Sequence, residues 1–242
     1  MVKHTKKIPF IKTLLLLCCY LLLHSSFTQA FEKIAISDSE YNRWPRYCQA
    51  TSEHADVPPP NGQLRPTLGS NRLGLIWKVG VWHYCVGLIK IVRAERTMSV
   101  SEADKGIFDA LSSYNKTPKY EYLATEMAVT IARGYRIKKD YVTAEKYLQI
   151  PLRFHPNYEM TYSVLSSIYF DKKEYLNAIN VLIEGNDATG GKSAEINYFL
   201  GLAYANIGNI KMAKEQSIIA KSLGYPLLGL DIKIASIENG KR

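Results

Sequence analysis

From about residue 72 onward, apolar positions recur every three or four residues, and strand-like alternation of useful length is absent. Leu73, Ile76, Trp77, Trp82, Cys85, Val86, Ile89 and Val92 predict helix from Arg72, weakened by Gly74, Gly80 and Gly87. Ser99 or Ser101 then offers an N-cap, with Glu102 and Asp104 in the first turn, for a helix ending near Ser113. Before residue 72 the periodicity fails. A short helix is expected near Ser37 to Trp44, stopped by Pro45. Beyond it, Val57-Pro58-Pro59-Pro60-Asn61-Gly62 and Arg65-Pro66 forbid both helix and ladder donors and predict an extended arm.

The apolar pattern repeats with a period of 34 residues. Ile131, Tyr135, Tyr141, Ala144 and Leu148 align at one offset with Leu165, Tyr169, Tyr175, Ala178 and Leu182, and three of these pairs are Tyr or Ala identities. A third copy follows one residue late, with Leu200, Gly201, Tyr204, Gly208, Ala213 and Ala220; the Gly190-Gly191 turn absorbs the extra residue. Each copy predicts two antiparallel helices. Small Ala132, Ser166 and Gly201 allow close approach, a tyrosine three positions on fills the adjoining space, and Lys139-Asp140, Lys173-Glu174 or Gly208-Asn209 reverses the chain. One such pair cannot bury its apolar face alone, so the copies are expected to stack, closed by a helix over Tyr225 to Ile237.

In Ala132, Tyr135, Ala144 and Pro156, the order of small residue, aromatic, small residue and proline, at this period, resembles the tetratricopeptide repeat family over roughly residues 124–226. Pro151 departs from the family, standing where Ala is frequent, and the large early aromatic present as Tyr162 is missing from copies one and three. The resemblance implies an all-α solenoid of antiparallel helix pairs with a face built by the first helix of each pair. By that analogy Glu126, Val129, Arg133 and Arg136, then Met160, Ser163, Ser167 and Phe170, then Tyr198, Leu202 and Ala205 line a surface for a protein or peptide partner. Arg133 and Arg136 are candidates to pair with a partner's carboxylate or, equally, to be solvated. The Lys and Asn set that clamps a terminal carboxylate in some family members is absent.

Composition changes the picture mainly at the N-terminus. Residues 1–30 place Lys3, Lys6, Lys7 and Lys12 before an apolar run from Leu14 to Leu23 and a tail ending Thr28-Gln29-Ala30. Ten residues make about 15 Å of helix, half a bilayer core, so a cleaved secretory leader is expected and a permanent anchor is the alternative. A lipid on Cys18 or Cys19 is a third option, opposed by the bulky residues before each sulfur. Of the net charge of +9, four units sit in this leader, and the remaining basic residues are interspersed with acids, unlike a nucleic-acid stripe. Cleavage leaves Cys48 and Cys85, which in an oxidising compartment, periplasm or exterior, are expected to pair; two separate buried thiols are the alternative.

Catalytic motifs are not evident. Gly185 to Ser193 fails the phosphate-loop spacing and reads as a turn capped by Ser193. His54, His83 and His155 lack partners at metal spacing, and no cofactor is implied. The chain therefore divides into a leader (1–30), an irregular arm (31–71), a degenerate helical pair (72–117) and a repeat array with closing helix (118–242). The expected function is an exported scaffold, not an enzyme, binding a protein partner in envelope assembly. The competing expectation is a hydrolase or redox enzyme sited near His83.

Overall fold

The computed structural model describes residues 34–55, 57, 59, 63–66, 76 and 78–240. The leader, its cleavage or lipidation and most of the proline-rich stretch lie outside the described residues.

Among the described residues three short elements come first: α1 (Asp38–Arg43), α2 (Arg46–Ala50) and a 3-10 turn (Ser52–Ala55). Four helix pairs and a closing helix follow: α3 (Val81–Thr97) with α4 (Val100–Tyr114), α5 (Tyr122–Ile137) with α6 (Tyr141–Phe154), α7 (Glu159–Asp171) with α8 (Tyr175–Ala188), α9 (Ala194–Asn206) with α10 (Ile210–Ser222), then α11 (Gly229–Glu238). The described residues contain no strand, and none of their helices is long and apolar enough to cross a membrane. Each helix packs on the next, and the first helices also touch in series: α3 on α5, α5 on α7, α7 on α9, α9 on α11. The fold is a tandem array of antiparallel helix pairs, all within one compact unit from Ile36 to Arg242.

Apolar burial follows the repeat. One core cluster joins Val129, Ala132, Ala144 and Leu148 to Val164, Leu165 and Ile168 of the next pair. A second joins Tyr162, Ala178 and Leu182 to Ile196, Leu200 and Ala203, and a third seals α9 and α10 under Leu230 and Ile234 of α11. Every cluster straddles two units, so a single pair would leave half of its apolar face in water. The small residues do what close crossing requires. A Cβ on Gly87 would stand 2.6 Å from the Gly106 carbonyl oxygen, and one on Gly185 would stand 2.5 Å from the Tyr162 ring.

The three central turns have one geometry. Tyr135, Tyr169 and Tyr204 each accept, through the backbone carbonyl, the amide of the residue five positions on, at 3.0, 2.8 and 2.9 Å. The residue before that donor is left-handed in every case: Lys139 at φ 59°, Lys173 at 60°, Gly208 at 78°. A side chain in that region costs roughly 1 to 2 kcal/mol, partly offset when glycine replaces it by the greater freedom of the unfolded chain. Lys139→Gly and Lys173→Gly are each expected to stabilise the protein by about 0.5 to 1 kcal/mol, read as higher midpoints in denaturant unfolding. Lower midpoints would mean that the lysine side chains contribute more than their backbone geometry costs.

Residues 34–55 hold more regular structure than their sequence pattern implies. Ser37 and Glu40 form a reciprocal capping box that starts α1, and Pro45 opens α2 at its N-cap besides ending the helix before it. Proline suits a helix start because the amide it lacks has no intrahelical acceptor there. Pro151, flagged from sequence as a departure, lies inside α6 and is buried.

Candidate functional site

The face made by the first helices carries every residue expected to meet a partner, but those residues fall into two different environments. On α5 the face is occupied by the chain itself. The Tyr47 hydroxyl of α2 donates to Glu126 Oε2 at 2.6 Å, and its ring stacks on Tyr84 of α3 with centroids 6.5 Å apart. Tyr84 Oη lies 3.2 Å from Thr130 Oγ1. Three more ties hold this segment: the Cys48–Cys85 disulfide, the Trp44 indole donating to the Cys85 carbonyl at 3.1 Å, and the Arg93 guanidinium on both Glu40 oxygens at 2.8 and 2.9 Å. Tyr41, Trp44 and Cys48 are buried by this packing.

The expected cations are committed as well. Arg133 grips Glu95 of α3 through Nε and Nη2, and Arg136 Nε donates to Asp171 of α7 at 2.8 Å. Both links join neighbouring units. Val129 and Ser163 are buried at 2% and 3% exposure, so they serve packing.

The remaining residues, Ala205 apart, are partly exposed on α7 and α9. Met160 packs beside the first core cluster, and the Ser167 hydroxyl donates to the Ser163 carbonyl at 2.7 Å. Phe170 lies 6.2 Å from the Phe199 ring. Tyr198 stacks on Tyr225 at 4.2 Å, and Leu202 packs beside Leu230 and Ile234. Ala205 is buried.

Sequence reasoning missed four polar members of this face: Tyr122, Tyr158, Glu159 and Glu195. Tyr122 meets the rings of His155 and Tyr158 edge-on, at 5.3 and 5.5 Å, while His155 Nδ1 is 2.8 Å from Thr125 Oγ1. Tyr122, Tyr158 and Glu159 line an open cavity of about 430 Å³ together with Thr189, Lys192 and Ser193. Glu195 occupies in copy three the register of Glu126 and Met160, a signal legible in the repeat alignment. Tyr158 ends a loop before α7, where the helical register gives no guidance.

Burial dominates the electrostatics here. It pushes the Glu195 carboxyl above the usual range, aided by the like charge of Glu159 and opposed by the Ser163 hydroxyl and Arg133. Glu126 also rises through burial, against the lowering by its bond from Tyr47. Burial raises Tyr158, with nearby Tyr84 and Glu126 adding to it, and lifts Tyr225 to about 12. By contrast Arg93, through its hydrogen bonds, holds Glu40 down at about 2, so that link stays charged across the ordinary pH range.

His83, the alternative site, lies half-buried on α3 with its ring 5.1 Å from that of Trp82. Burial lowers its pKa and the charge of Asp109 opposes this. Among the described residues no group of three or more His, Cys, Asp or Glu is placed to hold a metal ion. The Gly185 to Ser193 segment is the end of α8, a turn with Gly190 and Gly191 left-handed, and the N-cap of α9, where Ser193 accepts the Ile196 amide.

No family model matches the chain, and no curated protein does. Among solved structures, MamA (AMB-1) aligns over 66% of this chain and 82% of its own, with 19% identity and a TM-score of 0.44.

Proposed function

We propose that this chain is an exported tetratricopeptide-type scaffold that docks a partner protein of the cell envelope on the first-helix face of α7, α9 and α11. The observation that carries the reading is the division of that face. Its first half is closed by Tyr47, Trp44 and the disulfide, whereas Met160, Ser167 and Phe170 of α7 and Tyr198 and Leu202 of α9, first helices that pack on each other, remain partly exposed. Adjacent apolar and aromatic side chains on a rigid helical frame suit an extended or helical peptide. Export rests on the leader pattern of residues 1–30 and on the disulfide, which an oxidising compartment favours. In this reading residues 31–71 are the closing arm, 72–117 the first pair and 118–242 the docking array.

The test is capture from envelope extract by the chain lacking residues 1–30, compared with Phe170→Ala and Leu202→Glu. Both variants should lose the specifically captured protein, while Val142→Ala, on the exposed side of α6, should keep it. Equal capture by all four proteins would remove the first-helix face from the function. Arg133→Glu is a poor probe, because it would oppose Glu95 and disturb packing between units.

A further inference from the structure

The open half of the face is not evenly charged. Glu159 and Glu195 stand in the first turns of α7 and α9, and the charge of Glu159 adds to the burial that raises the Glu195 carboxyl. Among the described residues, neither has a salt-bridge partner. Arg133, whose charge acts on Glu195, is held by Glu95, and exposed Lys192 is a second cation lining the cavity. First-turn carboxylates do complement helix dipoles, which accounts for exposed Glu159. It does not account for Glu195, whose burial penalises the charge that a dipole would reward. A desolvated carboxylate of this kind is strengthened by a counter-charge brought in by a ligand.

The walls fit the same ligand. Tyr122 and Tyr158 border the cavity beside Glu159 and meet edge-to-face, and Tyr122 also meets the His155 ring edge-to-face. Tyrosine rings attract ammonium and guanidinium groups through their π faces. A cavity of about 430 Å³ accommodates one long side chain with its methylene stem against a ring.

Resting on the reading of this face as a docking surface, we propose that the partner segment it takes is cationic: a lysine or arginine side chain seats in the cavity beside Glu159, near Glu195, against Tyr122 and Tyr158. The apolar neighbours Met160, Phe170 and Leu202 then take the flanking residues of the segment.

The test uses the chain lacking residues 1–30, titrated with an eight-residue peptide of alternating Lys and Leu and with the same peptide carrying Gln or Glu for Lys. Binding is read by calorimetry and by amide shifts. The Lys peptide should shift amides over 157–163 and 189–198, and its affinity should exceed that of the Gln peptide at least about tenfold, the worth of one good charge contact. The double variant Glu159→Gln/Glu195→Gln should erase that difference, whereas Glu215→Gln, on exposed α10, should leave it. Equal affinity of the Lys and Gln peptides at this face overturns the charge inference and leaves the docking surface standing. Shifts confined to α6, α8 and α10, or no binding at all, overturn both. Spermidine binding as tightly as the Lys peptide overturns a peptide partner in favour of a small polyamine.

Discussion

Replacing Cys48 and Cys85 together by alanine will lower the unfolding free energy by about 4 kcal/mol, the loop-closure entropy expected for a cross-link of this length. The bridge spans 37 residues, including the proline-rich stretch, whose prolines lack amide donors. The sulfurs also anchor a short assembly, α1 and α2, that could not persist alone: helices of 6 and 5 residues are far below the length at which isolated helix survives in water. Denaturant unfolding of the oxidised and double-alanine proteins measures the loss. Amide exchange should show that it falls first on residues 38–57 and α3. A loss under about 1 kcal/mol would mean that Trp44, Tyr47 and Glu40 hold the segment through packing and polar contacts alone.

Lys90→Met will cost about 3 to 5 kcal/mol, because it removes the counter-charge from a buried carboxylate. Lys90 Nζ and Asp109 Oδ2 are 2.9 Å apart between α3 and α4, with side chains only 10% and 9% exposed. These helices cross so closely at Gly87 and Gly106 that water has little room to replace the ammonium. A buried pair stabilises less than its breakage suggests, since both ions gave up hydration to form it. The double variant Lys90→Met/Asp109→Leu should therefore recover most of the loss, and unfolding of the four proteins in a mutant cycle measures the coupling. Additive losses would show that the two side chains act independently.

The array was legible because its cause is local and repeated. A 34-residue period, three tyrosines and a left-handed turn before each second helix are properties of neighbouring residues. Cysteine arithmetic was enough to expect the Cys48–Cys85 bridge, which the structure contains. The arm was harder to read. Pro45 looks like a terminator in a linear pass, and only the geometry shows that it also begins α2.

The surface was half legible for a related reason. Analogy with the repeat family placed Glu126, Arg133 and Arg136 on the first-helix face, but their partners, Tyr47, Glu95 and Asp171, lie 79, 38 and 35 residues away. Spacing within one helix carries no trace of such contacts. Val129 and Ser163 show the same limit: register gives a direction, and the adjoining helix decides whether anything reaches solvent. Glu195 is the reverse case. Its equivalence to Glu126 was in the repeat, and it stands in the half of the face that the arm leaves open.

The central claim is that a partner docks on the first helices of the later pairs. Hydrogen–deuterium exchange, comparing the free chain with its captured complex, addresses it most directly. Slower exchange should appear in Glu159–Asp171, Ala194–Asn206 and the segment around Tyr225, while Tyr141–Phe154 and Tyr175–Ala188 keep the rates of the free protein. Protection confined to those two second helices, with the first helices unchanged, would contradict the account.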